Sequence, residues 1–186
     1  KVTDEDLKNA VIDEYGVKYS RDGKKILSAQ HCSFRSYKIK RGTKVICNKA
    51  FFGCKFLTII DIPDSVTYIG ANAFSICESL SSIVFPEGVK SICGSVFEFC
   101  NSLSQIILPS TLEEIKGNPF EGWNGPLHVL SSNFVYDDGV LFDKNRKKIG
   151  NICENGYSWF KRQALDHDTN FNCSVVPFGI LDLKTN

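Results

Sequence analysis

The chain has 186 residues, 42% of them hydrophobic and 23% charged, with a formal net charge of +1. That is enough apolar material for one continuous elongated domain, and the near-neutral balance argues against nucleic acid or acidic membranes as partners. No apolar run reaches the roughly 20 residues that span a bilayer, so membrane insertion is not expected, and Lys1 in place of methionine reads as a sign of upstream processing.

In chain order, Thr3-Asp4-Glu5-Asp6 ahead of Leu7, Ala10, Val11 and Ile12 predicts an N-capped amphipathic helix of about a dozen residues. It is expected to cap the domain within residues 1–15. Residues 16–36 follow as a β-hairpin and lead-in segment, because β-prone residues flank Asp22-Gly23, a favoured two-residue turn.

From residue 37 to 129 the chain repeats every 23 residues. Pro63, Pro86 and Pro109 fall at that interval, as do Ile69, Ile92 and Ile115, and Phe51, Phe74, Phe97 and Phe120. So do Cys54, Cys77 and Cys100, with Trp123 in the fourth place. One structural unit is therefore stacked four times, the first copy being looser, with Lys40 for the proline and Thr43 for a valine. Each unit reads as one strand that stops at its proline, followed by a turn and a short helical or 3₁₀ return carrying residues such as Phe74, Cys77 and Leu80 on one face. A single unit buries too few side chains to offset the ordering of its own backbone, so the units must cover one another. The prediction is a repeat solenoid, α/β in type, of stacked short strands and helical returns.

Asn124-Gly125-Pro126 then breaks the pattern, with Pro126 where a leucine is expected, and interrupts the regular stack near Trp123. Gly139-Val140-Leu141-Phe142 through Lys147-Lys148-Ile149 matches Gly16 through Ile26 position by position, so residues 130–172 hold a second hairpin and an irregular segment. Residues 173–186 read as a degenerate or truncated rung, since Val176-Pro177-Phe178-Gly179-Ile180 resembles Phe85-Pro86-Glu87-Gly88-Val89. The basic runs at Lys24-Lys25 and Arg146-Lys147-Lys148 suit solvated turns that shield strand edges.

The string Ile62-Pro63-Asp64-Ser65-Val66-Thr67-Tyr68-Ile69-Gly70, followed by Ala73-Phe74, Cys77 and Ser79-Leu80 and echoed in the next two units, resembles the repeat of the BspA-like leucine-rich-repeat proteins. The resemblance implies a curved leucine-rich solenoid on a secreted or surface-anchored bacterial protein, with binding or adhesion as its role. It implies no catalytic residues and no cofactor.

Eight cysteines and three histidines raise the question of chemistry. Cys54, Cys77 and Cys100 share one repeat position and are expected to be free buried thiols beside the phenylalanines, while Cys47 and Cys93 lie two rungs apart. A link among Cys32, Cys153 and Cys173 stays open. His31, His128 and His167 lie at the margins of the repeats, and no zinc-ligand spacing occurs, so neither a metal site nor thiol catalysis is expected. Asp166-His167-Asp168 reads as a solvated loop.

The candidate site is the outer strand face. Alternation turns Ile60, Ile62, Ile83, Phe85, Ile106 and Leu108 inward and leaves Ile59, Asp61, Ser82, Val84, Gln105 and Ile107 outward in two columns. Ile59, Val84 and Ile107 are apolar for a wet face, which points to a docking patch, to ordinary β-propensity or to cover by a hairpin. Tyr68 and Phe99 form a second candidate surface. The function expected is a non-catalytic protein-binding or adhesion module, extracellular or at the cell surface, with a host surface or matrix protein as the class of partner. A structural spacer in a longer surface protein and a thiol- or metal-dependent enzyme are the alternatives.

Overall fold

The computed structural model of the protein describes residues 2–29 and 32–152. Its chain begins with a single helical turn, α1 (Asp4–Lys8), closed by a capping box in which Asp6 N donates to Thr3 Oγ1 and Thr3 N to Asp6 Oδ2, both at 3.1 Å. The dozen-residue helix is not formed. Val11 and Ile12 instead make strand β1 (Val11–Ile12), antiparallel to β2 (Lys18–Tyr19), because β-branched residues pack better on a pleated surface than in a short helix. No residue of α1 is buried, so the strands and not the helix cover the end of the stack.

Strand β2 turns back into β3 (Lys25–Ser28), as the repeated Gly16–Ile26 motif predicts. The connection is wider than the two-residue turn. Ser20 N donates to Lys25 O, and Asp22 Oδ1 accepts from both Ser20 Oγ and Lys24 N, so side chains close a longer loop.

Beyond β3 each circuit contributes two strands where the repeat pattern predicts one. The strands ahead of the corners are β4 (Ser36–Lys38), then, after β5 (Val45–Ile46), β6 (Ile59–Asp61); β7 (Tyr68–Ile69) precedes β8 (Ser82–Ile83), and β9 (Ser91–Cys93) precedes β10 (Ile106–Leu108). The series ends with β11 (Glu114–Lys116) and β12 (Leu127–Val129). Strands β3, β5, β7, β9 and β11 form one parallel ladder, which β2 and β1 extend; β4, β6 and β8 form a second, continued by the pair β10 and β12. The extra strand arises because the proline corner is a turn, closed by Val66 N to Pro63 O at 3.0 Å and Val89 N to Pro86 O at 3.1 Å, after which the chain resumes an extended path.

The returns form a third wall made of turns, not helix. Alternate amides go to alternate partners: Ala50, Phe52 and Cys54 donate three residues back, while Lys49, Phe51 and Gly53 donate to Ala71, Ala73 and Ser75 of the next rung at 2.8–2.9 Å. Two positions per rung adopt positive φ to allow this, Lys49, Asn72 and Ser95 at one and Gly53, Ile76, Phe99 and Gly122 at the other. A helix spaced by three would have spent every amide internally and left the rungs unlinked on that side.

All three walls enclose one apolar column. Ile69 and Ile92 are fully buried and Ile115 is packed against the core from its margin. The rings of Phe51, Phe74, Phe97 and Phe120 stack with centroids 5.4, 6.1 and 6.2 Å apart. Trp123 closes the row, its Nε1 donating to Leu103 O at 3.1 Å, and one ladder continues past it into β12 with a shortened register, Ile106 beside Leu127, so the expected interruption near Trp123 is a shift of register before a closing meander takes over and not an end of the stack.

Cys77 and Cys100 are buried thiols that donate to Phe51 O and Phe74 O, and burial raises both, Cys100 to about 12. Cys54 is not free; it is joined to Cys32, with Cα atoms 5.6 Å apart. Parallel Cβ vectors disfavour a bridge between regular rungs, but Cys32 lies ahead of them and is not bound to their register. Cys153 and Cys173 fall outside the described residues.

The described chain ends in an antiparallel meander of β13 (Phe134–Asp137), β14 (Val140–Asp143) and β15 (Lys148–Asn151), the second hairpin motif lying in its last two strands. Phe134, Leu141 and Ile152 join the core. Ser131 Oγ and Asn133 Nδ2 both donate to Leu112 O and fasten the meander to the last rungs. The rung-like segment at 173–186, and His167 with its flanking aspartates, lie outside the described residues.

Candidate interaction surface

The wall built by β4, β6, β8, β10 and β12 carries the outward columns. Its six inward residues, Ile60, Ile62, Ile83, Phe85, Ile106 and Leu108, are all buried. In register, Ser36 lies beside Ile59 and Ile59 beside Ser82, giving one column that Gln105 continues. Lys38 lies beside Asp61, and Val84 and Ile107 occupy the same repeat position. All six candidate residues are exposed.

Ile59, in the column of Ser36 and Ser82, is 53% exposed, and the neighbouring column of Lys38, Asp61, Val84 and Ile107 is graded along the stack. At its N-terminal end it is charged, with Lys38 Nζ 3.0 Å from Asp61 Oδ2 across adjacent rungs. Toward the C-terminal end it becomes apolar, with Val84 74% and Ile107 42% exposed. Two residues beyond the predicted columns extend the face: His128 pairs beside Ile107, and Leu130, just beyond, is apolar and 60% exposed. The alternation of Leu127-His128-Val129-Leu130 carried that signal, but the break at Pro126 obscured it. No hairpin covers this face among the described residues.

Tyr68 and Phe99 do not form a second surface, because Tyr68 is on the β7 ladder, its hydroxyl 2.9 Å from Cys93 Sγ, whereas Phe99 is on the wall of turns. Among the described residues no group of His, Cys, Asp and Glu side chains is placed to hold a metal ion, and no helix is long and apolar enough to cross a membrane. Cys32 is in a disulfide and Cys77 and Cys100 are held protonated by burial, so none of these three presents a thiolate.

Two parallel ladders and a wall of turns around one apolar column, repeated at a fixed interval, define a leucine-rich-repeat solenoid. The chain belongs to the BspA-type leucine-rich-repeat family, whose repeat region matches residues 28–135 in six copies. The fold is similar to that of the pneumococcal vaccine antigen PcpA, with a TM-score of 0.59 and 21% identity over 67% of this chain; the match spans 32% of that protein's length. It is also similar to a leucine-rich-repeat protein from Bacteroides capillosus, with a TM-score of 0.55 and 26% identity over 65% of this chain and 98% of that one. None of the curated proteins compared with the chain matches it.

Proposed function

We propose that the chain is a non-catalytic protein-binding or adhesion module of a secreted or cell-surface bacterial protein, and that it docks its partner on the face bearing Ile59, Asp61, Ser82, Val84, Gln105 and Ile107. In this reading the 37–129 solenoid supplies the working surface and the segments on either side close its ends. The observation that carries it is the set of exposed apolar side chains Ile59, Val84, Ile107 and Leu130 on one face, uncovered among the described residues. The Cys32–Cys54 disulfide supports an oxidising compartment outside the cytosol. Similarity to a protein described as a vaccine antigen supports surface exposure in the same way.

The test is capture of purified host matrix and cell-surface proteins by the immobilised chain. Wild-type protein is expected to retain a partner that the Val84→Lys/Ile107→Lys double variant loses by about tenfold or more. Circular dichroism of the variant should be unchanged, since both side chains point to solvent. A partner held equally by both proteins would refute this face, and a spacer is the role that would then fit a chain that captures nothing.

A further inference from the structure

The two ladders end differently on their N-terminal side. Strand β3 is covered by β2 and β1, whereas β4 is terminal in its ladder, and among the described residues no strand pairs with its other edge. Ile59 N donates to Arg35 O and Ile39 N to Asp61 O, so residues 35, 37 and 39 bond toward β6. By the alternation of a parallel ladder, the N–H and C=O groups of Ser36 and Lys38 point the other way. That edge borders an open cleft of 810 Å³ whose far side is the loop Asp13-Glu14-Tyr15.

The far side of the cleft is held in place. Asp13 Oδ2 accepts from Tyr37 Oη at 2.6 Å, Tyr37 Oη meets Tyr19 Oη at 2.6 Å, and the ring of Tyr15 stands edge-on to Tyr37 at 5.7 Å. The cleft is therefore preformed, with backbone groups on one side.

Its charge departs from the repeat. At the corner after the strand the later rungs carry Pro63-Asp64, Pro86-Glu87 and Pro109-Ser110, but the rung with the open edge carries Lys40-Arg41, both exposed. Because these cations follow β4 in the chain, they stand at the end of the cleft that the C-terminal end of a parallel strand would reach. Both strand pairings already in this ladder, β4 with β6 and β6 with β8, are parallel.

We propose that the β4 edge binds an extended peptide of a partner protein by strand addition, parallel to β4, with acidic residues at the peptide's C-terminal end meeting Lys40 and Arg41. Main-chain hydrogen bonds to Ser36 and Lys38 would supply affinity, and the cation pair would set direction. This surface is distinct from the exposed apolar side chains on the outer face.

The probe is a fluorescein-labelled octapeptide of alternating threonine and valine ending in Asp-Asp with a free carboxylate, titrated against the whole chain by fluorescence anisotropy. Saturable binding is expected. It should weaken by about tenfold or more when the peptide ends in Lys-Lys, when its alternate backbone nitrogens are methylated, and in Arg41→Asp, which installs the residue found one rung later. Ser36→Pro should act likewise, since the hydrogen-bond donor it removes is one that β6 does not use, with unchanged circular dichroism showing that the fixed φ leaves β4 in place. Val84→Lys/Ile107→Lys should leave the titration unchanged, so this proposal and the outer-face reading fail separately. No saturable binding of the Asp-Asp peptide, or equal binding of its N-methylated form, would overturn the proposal.

Discussion

Gly53, Ile76, Phe99 and Gly122 occupy one position in four successive rungs, all with φ between 57° and 76°. Two of the four are bulky, and Ile76 is β-branched, which makes left-handed backbone costly there. The rungs accept it because the amides of Gly53 and Ile76 are spent on the next rung, and the conformation is the condition for that bond. Gly53→Ala isolates the backbone cost, since a Cβ there meets nothing within 4 Å. It should destabilise by about 1 kcal/mol in urea unfolding. Gly88 is the contrasting case: a Cβ at that site would collide with the carbonyl oxygen of Asp64 one rung away. Gly88→Ala should cost about 2 kcal/mol or more in the same measurement, and a smaller loss than at Gly53 would mean that the rungs are not held at this spacing.

Among the elements, the weakest link to the stack by sequence alone is the lead-in to the first rung, and the disulfide ties it. Cys32–Cys54 closes a loop with a sequence separation of 22, for which chain entropy gives about 3 kcal/mol. Reduction, or Cys32→Ser, should lower stability by about that amount in denaturant unfolding. Cys77→Ser, by contrast, removes a thiol no disulfide uses and should leave the effect of reductant intact. The prolines, isoleucines, phenylalanines and inward strand residues were legible because identity at a fixed interval leaves little choice but stacking. The second strand of each rung was not, because Tyr68-Ile69 or Ser91-Ile92-Cys93 is too short to show a period by itself and forms only through pairing with its neighbours. The turns hid behind the three-residue spacing of Phe74, Cys77 and Leu80, which a helix and a series of tight turns share. Cys32 was invisible as a partner for Cys54 because it stands outside the repeat, and of the outer face only the alternation could be read, not the gradient from the Lys38–Asp61 pair to Leu130.

For the molecule as a whole, contact runs mainly from each rung to its neighbours, so protection should rise toward the middle of the stack. Hydrogen exchange is expected to be slowest for the amides of β7 and β9 and fastest in β1, whose Val11 and Ile12 are 48% and 59% exposed. Uniform exchange along the chain would instead indicate one all-or-none opening. The three walls also bear on how such a molecule can change in size. Registers in the interior match residues 23 apart, as Tyr37 with Ile60 and Ile69 with Ile92, and depart from that only at the two ends, where Ile26 meets Ile46 and Ile106 meets Leu127. An insertion of one residue inside the stack would throw at least one wall out of step with the other two, whereas gain or loss of an entire circuit disturbs none of them. Length here is in effect quantised, and genetic drift in such a gene should leave its mark as whole added or missing coils, with small indels confined to the first and last.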